Sequence, residues 1–260
     1  MYLPIPNGGR QESVEDFKAF LPDRESLDTL QKIQYDHMVA MFQRSQPYAW
    51  TGGHHGVTQD YYFRGEHYLK DRNKAGTYCT GVALEHWFLT YLSWMEEDAE
   101  SEYGITYEQA QEIKAYFFVH ADPLSKYDQG CGKGIIYFKN ALEERLKQVE
   151  AQSGEEAGDV ASVYSLSMEY HTDIYNARFG DYIQIQSKDD IHSSMGGHCG
   201  VFVGLERPVW KGSEVEAVRI FNAAEHPAYG KSGVGMNWFL IDKMTGGYKR
   251  VFHCGSMREV

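Results

Sequence analysis

An α+β fold is expected from the order of the two periodicities along the chain. Through about residue 152 the apolar residues recur every three or four positions, as on a helix. From about residue 181 they fall into short β-branched and aromatic runs separated by Gly, Pro, Asp and Lys, as in antiparallel strands. Composition agrees: 42% hydrophobic and 24% charged residues are the proportions of an ordinary globular protein, and 260 residues suffice for a substantial single core.

The first element is "SLDTLQKIQYDHMVAMFQR", in which Leu27, Leu30, Ile33, Met38, Met41 and Phe42 fall near one face and Ser26 is placed to cap the N-terminus. The stretch that follows, residues 45 to 76, is rich in Gly and aromatics without a sustained period and reads as a long loop. Next comes "CTGVALEHWFLTYLSWM", whose Leu84, Trp87, Phe88, Tyr91, Leu92 and Met95 predict an amphipathic helix with Cys79 at its start. Thr106 and Gln109 have the spacing of a capping box before "YEQAQEIKAYFFV". A further helix is expected from about Ile135 to Gln152, ending in the polar "SGEEAGD". The strands are "DYIQIQ", "CGVFVGLE", "EAVRIFNA", "NWFLID" and "YKRVFHC", a sheet of about five. Residues 1–45 read as an N-terminal helical extension and 96–175 as an acidic, mainly helical insertion within one domain spanning 1–260.

Charge and composition exclude several classes. A net charge of −12 disfavours nucleic acid, whose phosphates need clustered Lys and Arg. Residues 96 to 159 carry 15 acidic against 6 basic side chains, so most of the excess lies on this one segment, a solvated helical surface and a candidate cleft cap or protein-partner surface. No apolar run reaches the roughly 20 residues that span a bilayer, and the N-terminus shows no signal-peptide pattern, so the compartment is left open. Cys79, Cys131, Cys199 and Cys254 are spread without CxxC pairing, and free thiols are expected rather than a disulfide framework.

Several motifs are set aside on physical grounds. "GCGKG" at residues 130 to 134 lacks the Ser or Thr of a phosphate loop and the strand before it, and reads as a turn leading into a helix. His54, His55, Glu66 and His67 lack the i, i+4 spacing of a helical metal site, and His198-Cys199 and His253-Cys254 would point to opposite faces of a strand. No metal or other cofactor is expected.

Cys79 differs by position. The dipole and unpaired N–H groups at a helix start favour a thiolate over a thiol, whose free pKa is about 8.5. A nucleophile also needs a base and a group that orients it. His198, opening "HCGVFVG" after the Gly-rich "SSMGG", is the candidate base; alternation puts it on one face with Gly200 and Phe202, with open space before it. Asn222 in "RIFNAAE" is the candidate orienting residue, with Glu225 in reserve.

The order "PYAWTGG", "YCTGVALEHWF", "GDYIQIQ", "GHCGVFVG", "RIFNAAE" resembles the NlpC/P60 superfamily of papain-like cysteine peptidases and amidases, over residues 47 to 95 and 180 to 225. The resemblance implies a papain-like core with the nucleophile helix packed on an antiparallel sheet. It also implies Cys79 as nucleophile, His198 as base, Asn222 as third residue, Tyr48 beside the thiol with an oxyanion or substrate-positioning role, and Gly180-Asp181 opening the first strand. The implied substrate is a bacterial cell-wall peptide. Tyr78 and Thr80 stand where the family usually has Asp and Ser, the loop before the cysteine is long, and Asn222 replaces the common His. Tyr78 is therefore a second substrate-positioning candidate, and a changed substrate is expected there. Two other readings stay open: an amidase, deamidase or acyltransferase of the same fold acting on a non-wall substrate, and a catalytically silent binding module.

Overall fold

The computed structural model describes residues 2–3, 11–49, 55–71, 76–117, 130–154, 164–187, 198–224, 233–241 and 250–260. In chain order the helices are α1 (Val14–Lys18), α2 (Thr29–Gln43), α3 (Cys79–Met95), α4 (Tyr107–Phe117) and α5 (Gly130–Ser153). The strands are β1 (Tyr2–Leu3), β2 (Tyr61–Phe63), β3 (Glu66–Leu69), β4 (Leu166–His171), β5 (Tyr182–Ser187), β6 (His198–Glu206), β7 (Val209–Trp210), β8 (Ser213–Glu214), β9 (Ala217–Ala224), β10 (Gly233–Leu240) and β11 (Arg250–Glu259). The α+β reading holds.

The main sheet has seven strands in the order β1-β10-β9-β6-β5-β11-β4, every neighbouring pair antiparallel. Its five inner strands are those legible from the sequence. Both edges were missed. β1 is two residues long, and β4 comes from within the segment read as mainly helical, so that segment contributes a strand to the sheet as well as α4 and α5.

Strand alternation divides the sheet into two apolar layers. Cys199, Val201, Val203, Phe221, Met236 and Trp238 join the large core beneath the helices, while Ile183, Ile185, Phe202, Val218, Ile220, Phe239 and Phe252 form a second cluster on the other face. On the helical side α3 lies over β6 and β9, and α5 over β11, β5 and β4. Helix α3 is buried nearly all round, which explains why apolar residues occupy more than one stripe of it. Trp87 meets Phe117 and Phe138 at ring-centroid distances of 5.4 and 5.2 Å, and Tyr91 meets Phe138 at 5.1 Å, spacings at which aromatic pairs add about 0.5–1.5 kcal/mol each beyond area burial.

Three local expectations need correction. Asp28, not Ser26, caps α2: its carboxylate accepts from Gln31 N at 2.7 Å, and Ser26 ends a separate 3-10 turn. The aromatic loop before α3 contains the β2–β3 hairpin, whose strands of three and four residues are too short to show a period. "GCGKG" is the first turn of α5 itself rather than a turn before it, and its glycines let the helix approach its neighbours: a Cβ on Gly132 would come within 2.4 Å of the His253 carbonyl oxygen of β11, and one on Gly134 within 2.4 Å of the Phe117 ring of α4. The Thr106–Gln109 capping box forms in both directions, at 2.9 and 3.2 Å. Among the described residues no helix is long and apolar enough to cross a membrane.

Candidate functional site

Cys79 is the first residue of α3. The extended Tyr78 (φ −142°, ψ 167°) precedes it and supplies no side-chain cap, so the first-turn N–H groups are not taken by that residue's side chain. The chain is clamped as it enters the helix. Thr77 forms a parallel bridge with Tyr48, its N–H donating to the Pro47 carbonyl and its own carbonyl accepting from Ala49 N–H, both at 3.0 Å. Tyr48, half-buried, is thereby paired through its backbone with Thr77, two residues before the cysteine.

Tyr78 N–H donates to the Gly56 carbonyl at 3.2 Å, and its ring lies so close to Gly56 that any Cβ there would fall 2.2 Å from it. Gly56 has φ +68°, and Gly81 of the "CTG" sequence touches the same loop, its would-be Cβ 2.1 Å from the His55 carbonyl oxygen. Tyr78 is 2% exposed. Its side chain packs the loop against the helix, which corrects the expectation that it faces substrate.

His198 opens β6, opposite Ile185 of β5, with its ring edge-on to Phe239 at 4.9 Å. Asn222 of β9 is fully buried, and its Nδ2 lies 3.1 Å from His198 Nε2 and 3.3 Å from the Cys199 carbonyl oxygen. Gly200 makes this possible. A Cβ there would meet the Phe221 carbonyl oxygen at 2.7 Å and Asn222 Cβ at 3.1 Å, so the space before the histidine is filled by Asn222 rather than open. Glu225, the reserve residue, lies outside the described residues.

The sulfur lies against the start of β6, the strand that His198 opens. The register of β6 with β9 runs from Val201–Phe221 outward, so residues 198–200 extend past it while remaining paired to β5. At that end the backbone N–H of Cys199 hydrogen-bonds Cys79 Sγ, which puts the thiol against the residue that follows His198. Cys199 faces the helices and His198 the second layer beside Phe239, and α3 delivers its sulfur to the peptide between them.

The electrostatics of the thiol differ from expectation. Burial pushes the Cys79 thiol up to about 12, the nearby Cys199 thiol adds to the rise, and the hydrogen bonds from Cys199 N–H and from Thr80 oppose it. At 9% exposure the desolvation of an anion outweighs what the helix start returns. The resting group is therefore a neutral thiol and not the ready thiolate inferred from position alone.

Two buried residues that support the site were not singled out in the sequence. Glu85, fully buried on α3, accepts from Thr58 N–H at 2.6 Å, Thr58 hydroxyl at 2.5 Å and Tyr61 hydroxyl at 2.6 Å, with Arg44 at 3.4 Å. It ties the end of α2 and residues 58–61 to the nucleophile helix; an acidic residue inside "VALEHWF" was the available signal. Asn237 of β10, 4% exposed, donates from Nδ2 to Asn222 Oδ1 at 2.6 Å.

Of the histidines weighed as metal ligands, those described have structural partners, His67 Nε2 lying 3.2 Å from Asp60. His55 Nδ1 accepts from Lys70 N–H at 2.8 Å, and His253 Nδ1 meets the Tyr170 hydroxyl at 2.5 Å; His54 lies outside the described residues. Asp181, fully buried after Gly180 (φ +94°), is bound by Arg258 and by the Ser256 hydroxyl at 3.0 Å, and its carbonyl accepts from Phe202 N–H at 2.7 Å, so it fixes the start of β5. Compared with known protein families and with characterised proteins, the sequence matches none.

Proposed function

We propose that the protein is a cysteine hydrolase of papain-like, NlpC/P60-type architecture that cleaves an amide bond through a thioacyl intermediate on Cys79. The observation that carries the reading is a helix-start cysteine whose sulfur meets the backbone N–H next to a strand-start histidine, that histidine lying 3.1 Å from a buried Asn.

Because burial keeps the thiol neutral, His198 takes its proton as the sulfur attacks, as a general base, rather than forming a standing ion pair. The S–C bond forms and the C–N bond breaks as the imidazolium passes that proton to the leaving amine. Water then attacks with His198 as base, the C–S bond breaks, and the proton returns to sulfur. The N–H groups at the start of α3 stabilise the oxyanion, with the Tyr48 hydroxyl as a further donor. Bacterial cell-wall peptides are the substrate class of choice, on the resemblance alone. A non-wall amide is the alternative within the same chemistry.

A binding module without turnover is the second reading, favoured by the 9% exposure and raised pKa of Cys79. Mass spectrometry of wall peptides and simple amides incubated with wild type, Cys79→Ala and His198→Ala separates the two. Product from wild type alone supports the hydrolase, and product from Cys79→Ala removes the nucleophile. Binding without product from any form supports the module.

A further inference from the structure

Three of the four free cysteines meet at one end of the sheet, each delivered by a different element. Cys79 is the first residue of α3, Cys131 the second of α5, and Cys199 the second of β6, on the face that both helices cover. The Cys199 sulfur accepts from the Thr80 hydroxyl of α3 and from both the thiol and the backbone N–H of Cys131. Gly200 N–H donates to the Cys131 sulfur, and Cys199 N–H to the Cys79 sulfur. Cys254 belongs to the apolar cluster of the opposite face. Among the described residues no three His, Cys, Asp or Glu are placed to hold a metal ion, so proximity here serves sulfur–sulfur chemistry rather than ligation.

The two sulfurs in side-chain contact are unequal. Burial disfavours a Cys199 anion, but the bonds from the Cys131 thiol, the Thr80 hydroxyl and the Cys131 N–H outweigh it and bring this thiol below its ordinary range. Its protonated form donates instead to Gln184 Oε1. Burial, and then the bond to Cys199, hold the Cys131 thiol well above the ordinary range. The pair thus divides into a nucleophilic sulfur and a protonated one in contact with it.

We propose that Cys131 and Cys199 close a reversible disulfide in response to peroxide and that this pair is a redox switch acting on Cys79. The Cys199 sulfur attacks one peroxide oxygen, the O–O bond breaks, and the other oxygen leaves as water, giving a sulfenic acid. The Cys131 sulfur then attacks the Cys199 sulfur, the S–S bond forms, the S–O bond breaks, and the oxygen leaves as water with the Cys131 proton. Two thiols are oxidised and one peroxide is reduced to two waters. Both sulfurs are 0% exposed, which restricts the oxidant to hydrogen peroxide, a molecule little larger than water. The effect on Cys79 runs through Thr80, whose Oγ1 lies 3.9 Å from Cys79 Sγ. A Cys199 sulfur tied into a disulfide carries no charge and accepts weakly, so the Thr80 hydroxyl is released to Cys79 and the neighbouring charge that opposes a Cys79 thiolate is removed.

The test follows sulfur and needs no substrate. Reduced wild type is treated with hydrogen peroxide near neutral pH, remaining thiols are blocked with N-ethylmaleimide in denaturant, and peptides are mapped by mass spectrometry without reductant. The peptides containing Cys131 and Cys199 should appear linked, and dithiothreitol should separate them. Iodoacetamide should label Cys79 of oxidised wild type about tenfold faster than in the reduced protein, the scale of one hydrogen bond gained by a charged sulfur. In Cys131→Ala that acceleration should be absent, and Cys199 should carry added oxygen as a sulfinic acid.

A Cys199 that stays a free thiol under peroxide, or that is linked to Cys79 or Cys254 instead, overturns the pairing. A Cys131–Cys199 link that leaves the Cys79 rate unchanged overturns the switch. Both decisive readings come from wild type, so they survive a Cys131→Ala chain that does not fold. Turnover by Cys79→Ala would sink the hydrolase reading and leave the disulfide result standing, so the two failures are distinguishable.

Discussion

Raising the pH on the folded protein separates the two forces that act on the Cys79 sulfur, burial against the helix start and the Cys199 N–H. Burial prevails and moves the thiol from an ordinary 9.0 to about 12. A rise of three units lowers the thiolate fraction at neutral pH by about a thousandfold relative to an exposed cysteine. Site-resolved alkylation by iodoacetamide, with mass spectrometry to separate the cysteines, should therefore show Cys79 reacting far more slowly than a model peptide at pH 7. The rate should then climb about tenfold per pH unit until the protein unfolds.

The same shift links to stability. A folded pKa above the unfolded one means that the folded chain holds the proton more tightly, so this contribution is fully present below about pH 8.5 and is lost as the pH rises through about 12. Its upper bound is about 4 kcal/mol, at about 1.36 kcal/mol per unit. Denaturant midpoints of wild type and Cys79→Ala should draw together between about pH 8.5 and 11. A rate plateau with a midpoint below about 8.5, or a difference between the two proteins that does not change with pH, would refute the dominance of burial.

Other perturbations follow from the same geometry. Asn222→Ala should lower kcat by roughly tenfold to a hundredfold with little change in KM, since a hydrogen bond to a charged ring is worth about 1.5–3 kcal/mol; steady-state kinetics on the substrate found would check it. Glu85→Ala leaves the Thr58 N–H, Thr58 hydroxyl and Tyr61 hydroxyl without their acceptor. It should cost about 3–5 kcal/mol in urea unfolding, with Glu85→Gln costing less. Gly132→Ala puts a Cβ 2.4 Å from the backbone oxygen of His253 and should lower stability by about 1–3 kcal/mol; an unchanged thermal midpoint would mean that α5 shifts away freely.

What the sequence made legible was what is periodic or local. The five inner strands and the Cys79 helix carry runs long enough to show their period, and alternation placed His198 with Gly200 and Phe202 on one face. The hairpin at Tyr61–Leu69, β1 and β4 are too short or too irregular to announce themselves, and they form because longer strands or loops already wait for them. Gly200 shows a different limit: a missing side chain looks the same in sequence whether it leaves room for a ligand or for Asn222. The thiol pKa depended on how much protein closes over the helix start, and Asn237 acts across strands β9 and β10. Neither is a property of neighbours in sequence.

The acyl-enzyme itself is the most direct object to measure. Wild type mixed with a cleavable amide or activated ester and quenched in acid should yield the peptide containing Cys79 with the added mass of the acyl group, decaying as product accumulates. In Cys79→Ala neither adduct nor product should appear. Product from Cys79→Ala, or an acyl adduct confined to another residue, would contradict the assignment of Cys79 as nucleophile.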